Sequence, residues 1–317
     1  MALLIILLLI ALIALFAQLG SNYYTQIRVI RRFFKNKGTV PEDAREKTSV
    51  TEDVDYASVF PRGKLDLYTA NDVSDSQPIL IWVHGGGYVG GDKKAAEAWA
   101  RTIAARLGVA VASIDYCLAP EQHYPVPVIQ LAEALQFLCD NARKFRLDPT
   151  RIFLAGDSAG AQITSQFAAL VTNPALQKKM NLFPTIPKSA LRGILLCCGP
   201  YNMDTVIRSH FPAIRTFMWA YTNEKKLHKF ARKDELSTVK NVTADYCDVY
   251  ITCGNADPFL KQANELIKIL QDAGVPCEAY LPKSKGKKLG HEYQFLIGTQ
   301  EADTALENAV NFIEKRI

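Results

Sequence analysis

Apolar runs alternate with amphipathic segments along most of the chain, and their order predicts a mainly parallel sheet. Runs typical of buried strands occupy residues 78–86, 109–116, 151–158, 191–199, 248–254 and 276–282. Helical patterns occupy residues 93–108, 128–146, 159–171, 260–274 and 300–316. Two earlier segments, 49–59 and 64–70, are typical of strands at an antiparallel edge. We therefore expect an α/β fold with right-handed crossovers.

One segment departs from this alternation. Residues 200–246 contain an aromatic helical pattern followed by a charged one. The segment is longer than an ordinary crossover between parallel strands. We interpret it as an insertion that covers the carboxyl ends of the strands, and the alternative is a plain surface excursion.

The amino terminus is strongly apolar. Residues 2–17 are sixteen consecutive apolar residues, and Leu19 extends the run beyond Gln18. At 1.5 Å per residue, about 19 helical residues reach roughly 28 Å, which is close to the thickness of a hydrocarbon core. Residues 1–20 are therefore predicted to form a single uncleaved transmembrane anchor. A cleaved signal peptide and a buried core helix are the alternatives.

Positive charge is concentrated just after this run. The chain has 37 Lys and Arg against 32 Asp and Glu, which gives a net charge of +5. Residues 21–41 contain five basic residues and no acid, so residues 42–317 have 37 − 5 = 32 basic and 32 acidic residues. A basic excess confined to one short stretch gives nucleic-acid binding no support. The five residues are Arg28, Arg31, Arg32, Lys35 and Lys37.

Residues 21–47 are predicted to form a basic segment beside the membrane. Residues 23–34 mix aromatic side chains with arginine, as an interfacial helix does, and a solvated basic helix is the alternative. Positive charge next to a span favours the cytoplasmic side. We therefore expect the following domain, residues 48–317, to lie in the cytoplasm with the amino terminus outside.

The seven cysteines do not indicate a disulfide framework or a metal site. Their number is odd, and no C-x-x-C pair is present. Several lie in apolar runs, where cysteine packs as a small hydrophobic residue. We interpret them as mostly reduced and structural.

Ser158 is the candidate nucleophile. It lies in the G-x-S-x-G sequence Gly156-Asp157-Ser158-Ala159-Gly160, between a predicted strand and a predicted helix. Small flanking residues permit the sharp turn that exposes a serine hydroxyl there. The amino end of the following helix favours developing negative charge.

A glycine-rich loop supplies candidate hydrogen-bond donors. His84-Gly85-Gly86-Gly87 follows the first buried strand. Glycines let backbone N–H groups approach a ligand closely, and acyl transfer needs such donors for its oxyanion. A simple turn is the alternative, while the known phosphate-loop patterns do not match.

His291 and Asp257 are the candidate base and acid. The chain has five histidines, and a serine–acid–histidine order with each residue on a loop after a strand selects His291. Asp257 follows the strand at 248–254 and lies between the other two in sequence. Asp204 is the alternative acid, and we interpret Glu292 as a supporting or surface group.

Five motifs in order identify a family resemblance. HGGGY (84–88), DYCLAPE (115–121), GDSAG (156–160), NADPF (255–259) and GHEYQF (290–295) resemble the hormone-sensitive-lipase-type branch of the α/β hydrolases. The resemblance covers residues 75–317. Within the family, the chain is similar to the membrane-anchored, arylacetamide-deacetylase-like members. It implies an α/β-hydrolase fold, with a mostly parallel central sheet, helices on both faces and a helical cap. The cap would be built from the amino-terminal segment and residues 200–246.

The resemblance also implies the roles of the site residues. Ser158, Asp257 and His291 match the catalytic triad. The oxyanion hole matches Gly86, Gly87 and the N–H of Ala159, with Gly85 as a possible further donor. The reaction implied is hydrolysis of short- or medium-chain carboxylic esters through an acyl-enzyme, without a metal or organic cofactor.

Three functional classes stay open at this point. A serine carboxylesterase acting on a small ester with an apolar acyl group is our main hypothesis. An amidase or deacetylase would use the same triad. Non-catalytic receptors in the family lack the histidine, so the presence of His291 argues against that class. The family often has glycine at Ala161 and arginine at Cys117, and neither position supplies chemistry.

Aromatic residues of the insertion are candidates for lining an acyl pocket, with packing of the cap as the alternative. They are Phe211, Phe217, Trp219 and Tyr221. The natural acyl and alcohol groups and the oligomeric state stay open.

Overall fold

The computed structural model describes residues 23–31, 38–73, 76–283 and 286–317, with side chains from residue 26 onward. An eight-stranded sheet forms the centre, with strand order β1-β2-β4-β3-β5-β6-β7-β8. The pairs β1–β2 and β2–β4 are antiparallel, and every other neighbouring pair is parallel. The predicted α/β-hydrolase architecture with an antiparallel edge is therefore confirmed.

The strands follow the apolar runs closely. The central strands are almost entirely buried because helices cover both faces of a parallel sheet. Their bounds are β1 Thr48–Asp55, β2 Lys64–Ala70, β3 Gln77–Val83, β4 Ala110–Ile114, β5 Leu147–Asp157, β6 Leu191–Cys197, β7 Val249–Thr252 and β8 Cys277–Tyr280.

The helices lie between the strands and after them. Their bounds are α1 Tyr23–Arg31, α2 Glu42–Glu46, α3 Glu97–Leu107, α4 Val126–Asp140, α5 Ala142–Phe145, α6 Ala159–Thr172, α7 Pro174–Met180, α8 Ile214–Thr222, α9 Lys233–Leu236, α10 Leu260–Asp272 and α11 Gln300–Glu314. Helix α3 ends at Gly108, whose φ of 64° is the left-handed conformation that terminates helices.

The predicted helix over 128–146 is two helices. Asn141 separates α4 from α5, and its side chain donates a hydrogen bond to the carbonyl of Phe137 at 2.9 Å. The backbone N–H of Asn141 donates to the same carbonyl at 3.0 Å, but the residue has φ of −102° and ψ of 17°, so the helix is interrupted there.

The segment between β6 and β7 contains α8, α9 and three short 3₁₀ turns, and we call residues 200–246 the cap insertion. Helix α1 packs on α8, where the side chains of Thr216 and Gln26 are hydrogen-bonded at 2.6 Å. Ile27 is buried against Phe217 and Ala220.

The predicted anchor, residues 1–20, lies outside the described residues. Among the helices that the structure does describe, none is both long enough and apolar enough to span a bilayer. The predicted division into segments 1–20, 21–47 and 48–317 stays a prediction.

Candidate active site

Ser158 lies at the turn between β5 and α6. Its φ of 50° and ψ of −116° are a conformation that costs a non-glycine residue roughly 1–3 kcal/mol. The backbone holds it there, because Ser158 N–H donates to the carbonyl of Cys197 at 2.8 Å and Ser158 C=O accepts from Gln162 N–H at 3.2 Å. The hydroxyl is thereby presented at the carboxyl ends of the parallel strands.

The two glycines that flank the turn are sterically required. A Cβ on Gly156 would lie 2.6 Å from the backbone of Gly160. A Cβ on Gly160 would lie 2.0 Å from the carbonyl oxygen of Val83. The G-x-S-x-G sequence therefore allows β5, α6 and the end of β3 to approach each other closely.

The three residues predicted to form a triad are brought together in one hydrogen-bonded chain. His291 Nε2 lies 2.9 Å from Ser158 Oγ, and His291 Nδ1 lies 2.9 Å from Asp257 Oδ2. The Asp257 side chain is fully buried, whereas the His291 side chain is 18% exposed. The other carboxylate oxygen of Asp257 accepts the N–H of Phe259 at 2.8 Å, which fixes the carboxylate.

The loops that carry the acid and the histidine are fastened to each other. The N–H of Ala256 donates to the carbonyl of Leu289 at 3.0 Å. Asn255 accepts the N–H of Leu289 at 2.8 Å and donates its amide to the carbonyl of Lys287 at 3.0 Å. These bonds hold Asp257 and His291 next to each other although they are 34 residues apart in sequence.

Three backbone N–H groups, two in the glycine loop and one at the start of α6, are available to bind a ligand. Gly86 and Gly87 have φ values of 110° and 59°, and Ala159 is the first residue of α6. In the described part of the chain, these three N–H groups have no hydrogen-bond acceptor. This is the arrangement expected of an oxyanion hole.

Gly85 is different, and its prediction as an oxyanion donor is wrong. Its N–H donates to Asp157 Oδ2 at 2.9 Å, so it is already engaged. Asp157 Oδ1 accepts the indole N–H of Trp82 at 2.9 Å. The residue before the serine therefore ties the glycine loop to the nucleophile turn, a role that sequence reasoning missed.

His84 supports the glycine loop from beneath. Its ring is fully buried, stacks on Tyr116 at 4.3 Å and places Nδ1 2.7 Å from the carbonyl oxygen of Gly85. Burial lowers the pKa of His84 below its usual value, so the ring is neutral. Because the partner of Nδ1 is a carbonyl, Nδ1 carries the proton.

Aromatic side chains of the cap insertion meet the site. The ring of Phe211 packs edge-on to His291 at 4.7 Å and stacks on Phe259 at 4.7 Å. Phe217 lies so close to the glycine loop that a Cβ on Gly87 would be 2.9 Å from its ring. Of the four predicted pocket residues, these two therefore lie beside the reacting groups.

The other two candidates lie elsewhere. Tyr221 stacks on Tyr88 at 3.8 Å, and both rings are buried. Trp219 packs beside helix α1 and beneath Lys225. Their contacts fit the alternative of packing between the cap and the core.

The alternative acid is not in place. Asp204 is exposed and pairs with Lys233 and Lys240. Those cations hold its pKa below the usual range. Glu292 lies nearer, 3.8 Å from His291 Nε2, with its side chain 10% exposed.

One group of side chains has the composition of a metal site. Among the described residues, the ligand atoms of Cys198, Asp257 and His291 lie within 4.8 Å of one another. Asp257 and His291 are already joined by a hydrogen bond. Burial raises the pKa of the Cys198 thiol, which disfavours the thiolate that a metal needs. The arrangement therefore favours an acid–base pair over a metal centre.

Comparison with known proteins agrees with the fold. The family model for the alpha/beta hydrolase fold matches residues 80–291. Esterase LipI of Mycobacterium tuberculosis is 30% identical over 234 residues, which cover 73% of this chain and 70% of that protein. Arylacetamide deacetylase of Oryctolagus cuniculus is 31% identical over 226 residues, which cover 68% of this chain and 54% of that protein.

The fold extends over almost the whole chain in a solved structure. Esterase B from Lactobacillus Rhamnosis has a TM-score of 0.75 at 21% identity and covers 97% of this chain and 95% of its own. At that identity the likeness concerns the fold alone. With the family model spanning residues 80–291, the chain belongs to the α/β-hydrolase family.

Proposed function

We propose that the chain is a serine carboxylesterase, with Ser158 as nucleophile, His291 as general base and acid, and Asp257 as the residue that orients the histidine. The observation that carries the proposal is the hydrogen-bonded chain from Ser158 Oγ through both nitrogens of His291 to Asp257. Similarity to proteins named esterase and carboxylesterase supports the same reaction.

The first half of the reaction forms an acyl-enzyme. Ser158 Oγ attacks the ester carbonyl carbon while His291 Nε2 takes the hydroxyl proton. Asp257 stabilises the resulting imidazolium through the bond to Nδ1–H. The N–H groups of Gly86, Gly87 and Ala159 stabilise the negative charge on the former carbonyl oxygen. His291 then gives its proton to the departing alkoxide, and the alcohol leaves.

The second half repeats these roles with water. His291 removes a proton from water, whose oxygen attacks the acyl carbon. The oxyanion forms again at the same N–H groups, and its collapse returns the proton to Ser158 and releases the carboxylic acid.

The acyl group is short or medium in length and apolar. Phe211 and Phe217 offer aromatic surface beside His291 and Gly87, which suits hydrocarbon better than a charged group. Because the cap insertion closes over this region, a long chain requires the cap to move.

Hydrolysis of p-nitrophenyl butyrate tests the nucleophile. Replacing Ser158→Ala should lower kcat by several orders of magnitude, since the triad acts as a unit. The matched control is Ser189→Ala at an exposed position, which should keep the wild-type rate. A Ser158→Ala protein with the wild-type rate would refute the assignment.

An amidase or deacetylase is the second candidate, favoured by the 31% identity to arylacetamide deacetylase. The same residues serve both reactions, because both pass through a tetrahedral oxyanion and an acyl-enzyme. We expect kcat/KM to favour the ester when an ester and an amide with the same acyl group are compared. A preference for the amide would identify the second candidate.

We also propose that residues 1–20 hold the chain in a membrane, with residues 21–47 at its surface and the hydrolase domain on the cytoplasmic side. The sixteen-residue apolar run and the five basic residues after it support this. Protease treatment of sealed right-side-out membranes should leave the domain intact, and digestion there would contradict the orientation.

A further inference from the structure

The outer part of the cap insertion is the second place where this chain concentrates positive charge. Residues 207–233 contain seven Lys and Arg and one acid, Glu224, a net charge of +6. Residues 21–41 contribute +5, so the rest of the chain has 5 − 5 − 6 = −6. Since the residues outside these two stretches are net negative, the positive charge of the cap insertion indicates a local role in binding anions.

Five of these seven Lys and Arg side chains line a cavity of about 360 Å³. Apart from the carboxylate of Asp204, its rim is basic and largely exposed, and its floor is apolar, with Met203, Met218 and Leu227 buried beneath. The basic residues are Arg208, Arg215, Lys225, Lys226, His228 and Lys233.

Few carboxylates neutralise the rim. In the described residues, Lys233 is the one cation of this set that pairs with an acid, Asp204, and Lys240 shares that acid at 2.6 Å. Lys225 lies over the Trp219 ring at 5.2 Å, and Arg208 donates to the backbone carbonyl of Asp204 at 3.3 Å. Mutual repulsion of these cations is relieved when an anion enters the cavity.

The cavity is next to the segment that leads to the predicted anchor. Helix α8 lines the cavity with Arg215 and Met218 and contacts α1 through Thr216, Phe217 and Ala220. The apolar run ends at residue 17 and α1 begins at Tyr23. Six residue steps span about 20 Å at most, so a bilayer that holds the run lies close to α1. Arg215 and Met218 lie on a different face of α8 from the residues that contact α1, so about one helix diameter, roughly 10 Å, separates the cavity from α1.

The chemistry of the cavity fits an amphiphile with an anionic head. Guanidinium groups bind phosphate through two parallel hydrogen bonds, and the apolar floor accommodates carbon next to the phosphate. A free phosphate ion would use the rim alone. An anionic phospholipid would use both parts, and it is concentrated in the membrane surface that the anchor requires.

We propose that this cavity binds the headgroup of an anionic phospholipid and thereby docks the cap insertion on the bilayer. The proposal rests on the proposed membrane anchor but not on the triad.

Trp219 reports docking directly. The chain has three tryptophans; Trp82 and Trp99 are fully buried, whereas Trp219 is partly exposed beside Lys225. The full chain is reconstituted in phosphatidylcholine vesicles that contain either dibrominated phosphatidylglycerol or the same amount of dibrominated phosphatidylcholine. Bromine quenches tryptophan at short range, so docking should quench fluorescence in the anionic vesicles only, and added salt should reverse it.

The variant R208A/R215A tests the cavity. A basic side chain at an anionic surface contributes about 1 kcal/mol, a factor of roughly five, so two substitutions should lower the docked-to-undocked ratio about 30-fold. The control is R143A/K144A, which removes two exposed charges from α5, before the amino end of β5 and at the opposite end of the sheet from Ser158. The control should keep the wild-type quenching.

Flotation of the same vesicles separates the two proposals. A chain that does not float with phosphatidylcholine vesicles refutes the anchor. A chain that floats, but is quenched equally in both vesicles or equally in R208A/R215A, refutes cap docking and leaves the anchor standing. Submillimolar binding of inorganic phosphate that R208A/R215A abolishes would identify a site for free anions and would also overturn the proposal.

Discussion

The hydrogen bond from Gly85 N–H to Asp157 should be needed for a normal kcat of ester hydrolysis, and Asp157→Asn tests this. Asp157 accepts two buried N–H groups, one from Trp82 and one from Gly85, each at 2.9 Å. Asparagine can accept one of them, while its NH₂ group faces the other donor. Loss of a charge-assisted hydrogen bond and a buried unpaired donor together cost about 3 kcal/mol. At about 2 °C per kcal/mol for a chain of this size, the midpoint of thermal unfolding should fall by about 6 °C.

The effect on catalysis should be larger than the loss of stability alone would give. Gly86 and Gly87 follow Gly85 directly, so a displaced Gly85 moves the oxyanion donors, and loss of one such donor costs roughly 10²–10³ in kcat. We expect kcat on p-nitrophenyl butyrate to fall about 10² with KM nearly unchanged. Asp148→Asn, at the other end of β5, is the control and should keep kcat. A wild-type kcat in Asp157→Asn would refute the reasoning.

The remaining predictions concern the cap, helix α1 and pH. Gly87→Ala should lower kcat/KM, because the φ of Gly87 is 59° and the new Cβ would meet the Phe217 ring. Adding Phe217→Leu to the same chain should restore part of the lost kcat/KM. No restoration would argue against the contact. Arg31→Ala should speed hydrogen exchange in α1, because Arg31 donates to Val89 C=O at 2.6 Å and to Glu121; unchanged exchange would contradict this. The pKa of His84 is lowered, so the unfolded chain binds more protons than the folded chain below about pH 6.5. Stability is therefore present above that pH and declines as the pH falls toward the folded pKa; a His84 imidazole that titrates at or above 6.5 by NMR would contradict it.

Local patterns predicted most of the fold because buried strands and amphipathic helices leave periodic signals. The strand predicted over 78–86 ends at Val83, since the glycines after it form the loop rather than the ladder. Helix α7, Pro174–Met180, was missed because its short polar sequence has little apolar periodicity. A start signal was present, since Asn173 accepts the N–H groups of Ala175 and Leu176.

The order of the motifs was enough to predict the triad residues. It did not predict which residues distant in sequence contact each other around them. The error at Gly85 arose because its partner, Asp157, lies 72 residues away and no sequence pattern links the two. The contact of Phe211 with His291 likewise depends on how the cap insertion folds back over the sheet. Sequence placed both residues in the right segments without showing which partners they meet.

Mass spectrometry of the full chain after reaction with a p-nitrophenyl phosphonate is the most direct test of the central claim. The reagent bonds to a serine that a neighbouring histidine activates, and the p-nitrophenolate leaves. We predict one adduct per chain, located by peptide mapping at Ser158 and absent in His291→Gln, because His291 Nε2 lies 2.9 Å from Ser158 Oγ. An adduct at another residue, or labelling of Ser158 at the wild-type rate without His291, would contradict the account.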